Sequence, residues 1–155
     1  MRCVAVIPAR MGSSRFPGKP LAQLHGRTMQ EHVYKRTALC AELDDVVVAT
    51  CDTAIVDAVS AFGGHAEMTA DTHDRASDRV AEAAENLDGD VFVLVQGDEP
   101  MTHPDMITQS LSPFATDNSV GCVNLTTRIT DEAEFRNPNT IKVVINRMGD
   151  AMYMS

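Results

Sequence analysis

The first thirty residues contain no aspartate or glutamate; the first acidic residue is Glu31. The rest of the chain is the reverse, because overall 22 Asp and Glu outnumber 13 Lys and Arg, for a formal charge of −9. Arg2, Arg10, Arg15, Lys19 and Arg27 all fall in the acid-free stretch, so residues 1–30 carry +5 and residues 31–155 carry −14. Other absences narrow the function classes. No apolar run approaches the roughly 20 residues of a membrane-spanning helix. The start lacks a signal peptide's order of charge then apolar core, since its apolar run is short and the basic residues follow it. Cys3, Cys40, Cys51 and Cys122 form no C-x-x-C pair, which argues against a zinc or disulfide framework and predicts buried, reduced thiols in a cytoplasmic protein. There is no low-complexity segment and no internal repeat. Global acidity excludes nucleic acid and an anionic membrane as expected partners, whereas a basic island in an acidic chain suits a small anionic ligand.

What is present fits one soluble domain: 155 residues, 44% hydrophobic and 23% charged, enough to bury a core. The basic island follows an apolar run, Cys3–Ile7, that reads as a strand. It runs Ile7-Pro8-Ala9-Arg10-Met11-Gly12-Ser13-Ser14-Arg15-Phe16-Pro17-Gly18-Lys19-Pro20. Glycines and serines bring backbone N–H groups close to a ligand, and three cations stand among them. After a strand, that composition predicts a polyphosphate cradle. The alternative is a set of basic residues that merely faces water.

Strand and helix signals alternate along the chain. Thr28-Met29-Gln30-Glu31 has the form of a capping box and predicts a helix to about Ala41, with Met29, Val33 and Cys40 on one face. Val46–Thr50 is a continuous β-branched run, as in strands buried on both faces. Asp52 or Thr53 caps a helix from Ala54 to Phe62, ended by Gly63-Gly64. A polar segment, His65–Ser77, leads to a helix from Asp78 to about Leu87. Val91–Val95 is expected to be the central strand. Pro104 starts a helix to Leu111. Val120–Thr126 and Ile141–Ile145 read as later strands, and Met148-Gly149-Asp150 as a turn. A strand beginning at Ala151 is cut short at Ser155, so the chain is expected to be C-terminally truncated. The nine methionines read as core filler. This alternation predicts an α/β fold with an open, mostly parallel, doubly wound sheet, in which ligands sit beyond the carboxyl ends of the strands.

Gln96-Gly97-Asp98-Glu99-Pro100 follows the strand Val91–Val95. An aspartate there, on the same sheet edge as the basic loop, is suited to Mg²⁺, which takes one or two carboxylates together with phosphate oxygens. The alternative is a polar turn in which Asp98 caps a neighbour. His73 and His103 are further candidates for substrate contact, or else surface or capping residues. Two standard phosphate loops are excluded. A Walker A loop needs Gly where Ser13 stands and Ser or Thr where Pro20 stands; a dinucleotide fingerprint needs Gly at Ser14.

Four passages carry a family resemblance over nearly the whole chain. They are the stretch Ile7–Leu21, His32-Val33-Tyr34-x-Arg36, Val95-Gln96-Gly97-Asp98-Glu99-Pro100, and Asn137-Pro138-Asn139 followed by Lys142-Val143-Val144. Together they resemble the CMP-sugar-acid synthetases, in particular the 3-deoxy-manno-octulosonate cytidylyltransferase (CMP-Kdo synthetase) family. The resemblance implies a Rossmann-like nucleotidyltransferase fold, of which residues 1–155 are the nucleotide-binding part. It implies transfer of CMP from CTP to the anomeric hydroxyl of a 3-deoxy-octulosonate-type sugar acid, with release of pyrophosphate, for lipopolysaccharide or cell-surface polysaccharide synthesis. By this resemblance Arg10, Lys19 and Asp98 are catalytic. Ala9, Arg10, Gly12, Ser13, Arg15 and Lys19 bind the triphosphate, Asp98 binds Mg²⁺, and Gln96 contacts the sugar acid. The segment 72–79, with Arg75, Ser77, Asp78 and Arg79, lies beside the cytosine base. The family commonly has Ser-Gly-Thr-Asp-Arg where this chain has Arg75-Ala76-Ser77-Asp78-Arg79, and an acidic residue where it has Cys51. In the family, residues beyond those present here supply a second metal-binding Asp, further sugar-acid contacts and much of a homodimer interface. Two other readings stay open: a related nucleotidyltransferase with another sugar or NTP, and a nucleotide-binding module without catalysis.

Overall fold

Short runs of β-branched and small apolar residues supply parallel strands, because such side chains pack well on a sheet covered from both sides. The computed structural model describes residues 1–12 and 16–155. Strand β1 is Cys3–Ala9. A 3-10 turn at Lys19–Leu21 and a small antiparallel ribbon, β2 (Gln23–Leu24) with β3 (Arg27–Thr28), lead into helix α1, Met29–Thr37. There follow β4 (Asp45–Thr50), α2 (Thr53–Ala61), β5 (His65–Met68), α3 (Ala76–Glu85), β6 (Val91–Leu94) and α4 (Pro104–Leu111). The last elements are a short helix α5 (Glu132–Arg136) and strands β7 (Val143–Ile145) and β8 (Ala151–Met154).

The main sheet has the order β5-β4-β1-β6, with every pair parallel. The two-residue period of β1 sends Cys3, Ala5, Ile7 and Ala9 to one face, where Val33 of α1, Ile55 and Val59 of α2, and Ile107 and Leu111 of α4 join them. Val4 and Val6 face the other way and pack with Val47, Ala49, and Val80 and Ala83 of α3. Helices therefore cover both faces, as expected for a doubly wound sheet. Thr28 caps α1, accepting the Glu31 N–H at 3.1 Å on its hydroxyl. Gly63, at φ 80°, ends α2 in the left-handed region that favours glycine.

Several expectations are corrected. The two inner strands are β4 and β1, and β6 lies at the margin of the described sheet, because an apolar run reports contact with helices and not rank within a sheet. The polar segment after Gly64 contains β5, which pairs through its backbone with Val47–Thr50; its side chains are at most half-buried and leave little apolar signal. No strand forms at 120–126. Ile141–Ile145 contracts to β7, which pairs with β8 in a separate antiparallel ribbon. Helix α1 stops at Thr37, though Cys40 beyond it still enters the core. Met29 is buried, but Met1, Met101, Met148 and Met152 are well exposed, so methionine is mostly not core filler here. Cys3 and Cys40 are buried free thiols, Cys51 is half-buried and Cys122 is exposed. No described helix is long and apolar enough to cross a membrane.

Candidate active site

From β1 the chain crosses to β4 on one side, and from β5 it returns to β6 on the other. The connections thus diverge beyond the carboxyl ends of β1 and β6, which makes a crevice at the switch point. Both motif segments are there. Gly97 lies so close to β1 that an added Cβ would stand 2.6 Å from the Pro8 carbonyl oxygen. Only a glycine lets the loop after β6 approach the end of β1 this closely. The two loops then meet through their charges: Lys19 Nζ donates to Asp98 Oδ2 at 2.6 Å. The pair is partly solvated, with the side chains 31% and 47% exposed, so it is accessible to a ligand and its own contribution to stability is small.

Three further residues hold this arrangement. Asp52 stands at the N-cap of α2 as expected, but its side chain makes no capping bond and accepts the Met11 N–H at 2.7 Å, fastening the start of the basic loop to α2. The other end closes when the Gly18 N–H donates to the Met11 carbonyl at 3.0 Å. Gly18 has φ 73°, and the 3-10 turn after it carries Lys19 out of the loop with the buried Pro20 behind it. Arg36 of α1 donates through Nε to the Thr102 carbonyl at 3.0 Å. Thr102 in turn bonds the Glu99 carbonyl through its N–H at 3.1 Å and its hydroxyl at 2.9 Å, which braces the turn carrying Asp98.

Ala9 and Arg10 form part of a cleft of about 160 Å³ with Pro8, His73, Asp74, Arg75, Ala76 and Arg79. The segment expected beside a base therefore shares a cavity with the first residues of the basic loop. Ala9 is buried; Arg10, Gly12 and Gln96 are exposed. Ser77 and Asp78 are exposed on the first turn of α3, where the Ser77 hydroxyl donates to Asp78 at 3.4 Å; neither lines the cleft. Arg79 is only 3% exposed. Ser13 and Arg15 lie outside the described residues. His103 caps α4, its Nδ1 accepting the Asp105 N–H at 3.3 Å. A larger hollow of about 280 Å³, bounded by Gln23, Arg27, Phe62 and neighbours, holds none of the motif residues, so cavity size does not mark this site.

Sequence reasoning missed Asp52, Arg36 and Glu82 as parts of the site. Arg36 belonged to a family-like passage, which was the available signal. Asp52 resembled an ordinary cap, and Glu82 one of many helix acids. The carboxyl of Glu82 is held below the usual carboxylate range, first by its hydrogen bond with His73 and next by the Ala70 N–H. Among the described residues no group of three or more His, Cys, Asp or Glu could hold a metal by itself. Asp98 is a single hard oxygen donor at a strand end, which fits a cation that arrives with phosphate oxygens completing its shell.

Comparison with known proteins gives the family and the fold. A 3-deoxy-manno-octulosonate cytidylyltransferase of Geobacter metallireducens is 47% identical over 155 residues, covering all of this chain and 61% of that protein. The enzyme of the same name from Geotalea daltonii is 49% identical, again across all of this chain and 61% of its own. The chain thus spans about three-fifths of the length of these relatives. A solved structure of CMP:2-keto-3-deoxy-manno-octonic acid synthetase complexed with CTP superposes with a TM-score of 0.91 at 38% identity, covering 100% of this chain and 64% of that one. A 4-diphosphocytidyl-2C-methyl-D-erythritol synthase from Anaerococcus prevotii, 13% identical with a TM-score of 0.60 over 99% of this chain and 64% of its own, shares the fold. The cytidylyltransferase family model matches residues 4–155, and the chain belongs to that family.

Proposed function

We propose that residues 1–155 are the nucleotide-binding part of an enzyme that transfers CMP from CTP to the anomeric hydroxyl of a 3-deoxy-octulosonate-type sugar acid, Kdo or a close relative. The observation that carries this reading is the Lys19–Asp98 pair at 2.6 Å, which joins a cationic loop and an acidic loop at the switch point. The names of the relatives supply the nucleotide and the sugar acid.

The anomeric oxygen forms a bond to the α-phosphorus. The bond from that phosphorus to the bridging oxygen breaks, pyrophosphate leaves, and the hydroxyl proton passes to solvent. Such transfers depend on positioning and charge neutralisation more than on covalent help. Arg10 and Lys19, with Gly12, Ser13 and Arg15, hold the triphosphate and steady the leaving pyrophosphate. Ala9 offers close backbone approach, Gln96 contacts the sugar acid, and the segment with Arg75 forms the nucleoside side, held from behind by Arg79, while Ser77 and Asp78 stand outside the cleft. Asp98 together with phosphate oxygens would hold Mg²⁺, whose charge offsets that of the phosphates. Lys19 has two acceptors to choose between: one Asp98 carboxylate, or a triphosphate of greater negative charge. A triphosphate that takes Lys19 leaves Asp98 free to hold the cation. A homodimer, a cytoplasmic location and a role in lipopolysaccharide or cell-surface polysaccharide synthesis complete the proposal.

The test is pyrophosphate release from CTP with Kdo and Mg²⁺ by the full-length protein. Release is expected with CTP in preference to UTP or GTP, and Asp98→Asn is expected to abolish it. A preference for UTP or GTP would move the assignment to another sugar nucleotidyltransferase, and full activity of Asp98→Asn would remove the metal role.

A further inference from the structure

The cleft wall formed by His73 and Arg75 belongs to a strap, residues 69–75, with no helix or strand of its own. Such a segment needs outside partners to hold one shape. Its first residue is tied to the sheet: the Thr69 N–H donates to the Thr50 carbonyl at 2.9 Å. Two side chains of α3 hold the residues after it. Both carboxylate oxygens of Glu82 accept the Ala70 N–H, each at 3.0 Å, and one of them meets His73 Nε2 in a short contact. Arg79, buried on the neighbouring turn, donates through Nη1 to the Thr69 hydroxyl and to the Ala70 carbonyl at 3.1 Å. The peptide at Ala70 is thus gripped on its N–H and on its C=O by two residues three apart on one helix. An ionised carboxylate only accepts hydrogen bonds, so His73 Nε2 must be the donor, which fixes the tautomer and the ring's direction.

We propose that Glu82 and Arg79 are positioning residues that act on nucleotide binding through the strap, setting His73 and Arg75 as the nucleoside wall of the cleft, without Glu82 touching the ligand. This rests on the nucleotide reading of the cleft given above. Arg79 has its guanidinium engaged with Thr69 and Ala70 and is almost fully buried, which suits a brace better than a ligand contact. Glu82 does not line the cleft. The phosphate end of the ligand depends on different residues, Lys19 and the loop after β1. The two ends of the nucleotide should therefore respond differently when the strap is loosened.

The experiment is calorimetric binding of CTP and of inorganic tripolyphosphate to the chain and its variants, alongside exchange of the Ala70 amide. In Glu82→Ala, CTP affinity should fall at least about tenfold, the scale set by losing a charged hydrogen bond, while tripolyphosphate affinity changes less than about twofold. Ala70 exchange should speed up. Glu82→Gln retains an acceptor for the Ala70 N–H and should recover part of the loss. His73→Ala leaves the grip on Ala70 intact and should weaken CTP without hastening Ala70 exchange, which keeps the idea testable if Glu82→Ala misfolds. Unchanged CTP affinity and Ala70 exchange in Glu82→Ala, equal losses for CTP and tripolyphosphate, or no recovery in Glu82→Gln would each overturn the clamp. Failure of the unsubstituted chain to bind any nucleoside triphosphate would overturn the nucleotide reading instead, and Ala70 exchange would still report on the clamp.

Discussion

Gln30 sits in the first turn of α1 with no exposed surface, and neither its amide nitrogen nor its amide oxygen has a hydrogen-bond partner among the described residues. The Thr37 hydroxyl, two turns along the same helix, is in the same condition. A buried unpaired amide costs about 1–3 kcal/mol, and nothing in the site described above uses this one. The polar groups near the site are treated differently: Asp52, Arg36, Glu82 and Arg79 all end on a backbone partner. The prediction is that Gln30→Met, which keeps an unbranched side chain of similar length, stabilises the fold by about 1–2 kcal/mol. Urea unfolding should show a higher midpoint at unchanged slope. A lower midpoint would mean that the amide is satisfied in solution.

The strap between β5 and α3 is the element whose behaviour turns on one carboxylate. Because the Glu82 carboxyl in the folded chain is held below its ordinary range, the bonds it makes are fully present above the usual glutamate pKa of about 4.3. They are lost as pH falls through the lower folded value. Ala70 amide protection, corrected for intrinsic exchange, should hold from neutral pH down to about 4.3 and decline below. Glu82→Gln, which cannot titrate, should lose that decline. None of this was readable from the sequence, where residues 65–77 present only as polar. What was readable had local causes: the β-branched run of β4, the capping hydroxyl of Thr28, and the glycine that lets the loop after β6 close on Pro8. The place of β6 at the sheet margin and the grip of α3 on Ala70 depend on residues distant in sequence, and hydrophobic periodicity carries no information about them. Lys19 and Asp98 could be assigned to one sheet edge from strand order alone, but their direct contact required the turn at Gly18 and the brace from Arg36.

The molecule as a whole divides by burial. Every buried residue lies at or before Leu111, and residues 112–155 contain none. The later segment holds α5 and the β7–β8 ribbon, with Phe135, Ile141, Val144, Ile145, Met152 and Tyr153 all exposed. Apolar side chains in such number on one segment mark a surface that packs against something else. In the monomer, however, two short strands paired mainly with each other contribute little independent stability. Between them and the body, residues 120–131 have no regular structure. Opening should therefore be local and should start there, well below the free energy of global unfolding. Limited trypsin digestion should cut at Arg128 before it cuts inside α1 or α3, where Arg36 and Arg79 are bonded to backbone carbonyls. A fragment that retains the whole buried core should then persist, as read by intact-mass spectrometry. If cuts at Arg36 or Arg79 come first, the chain opens as one unit, and the division by burial does not govern its stability.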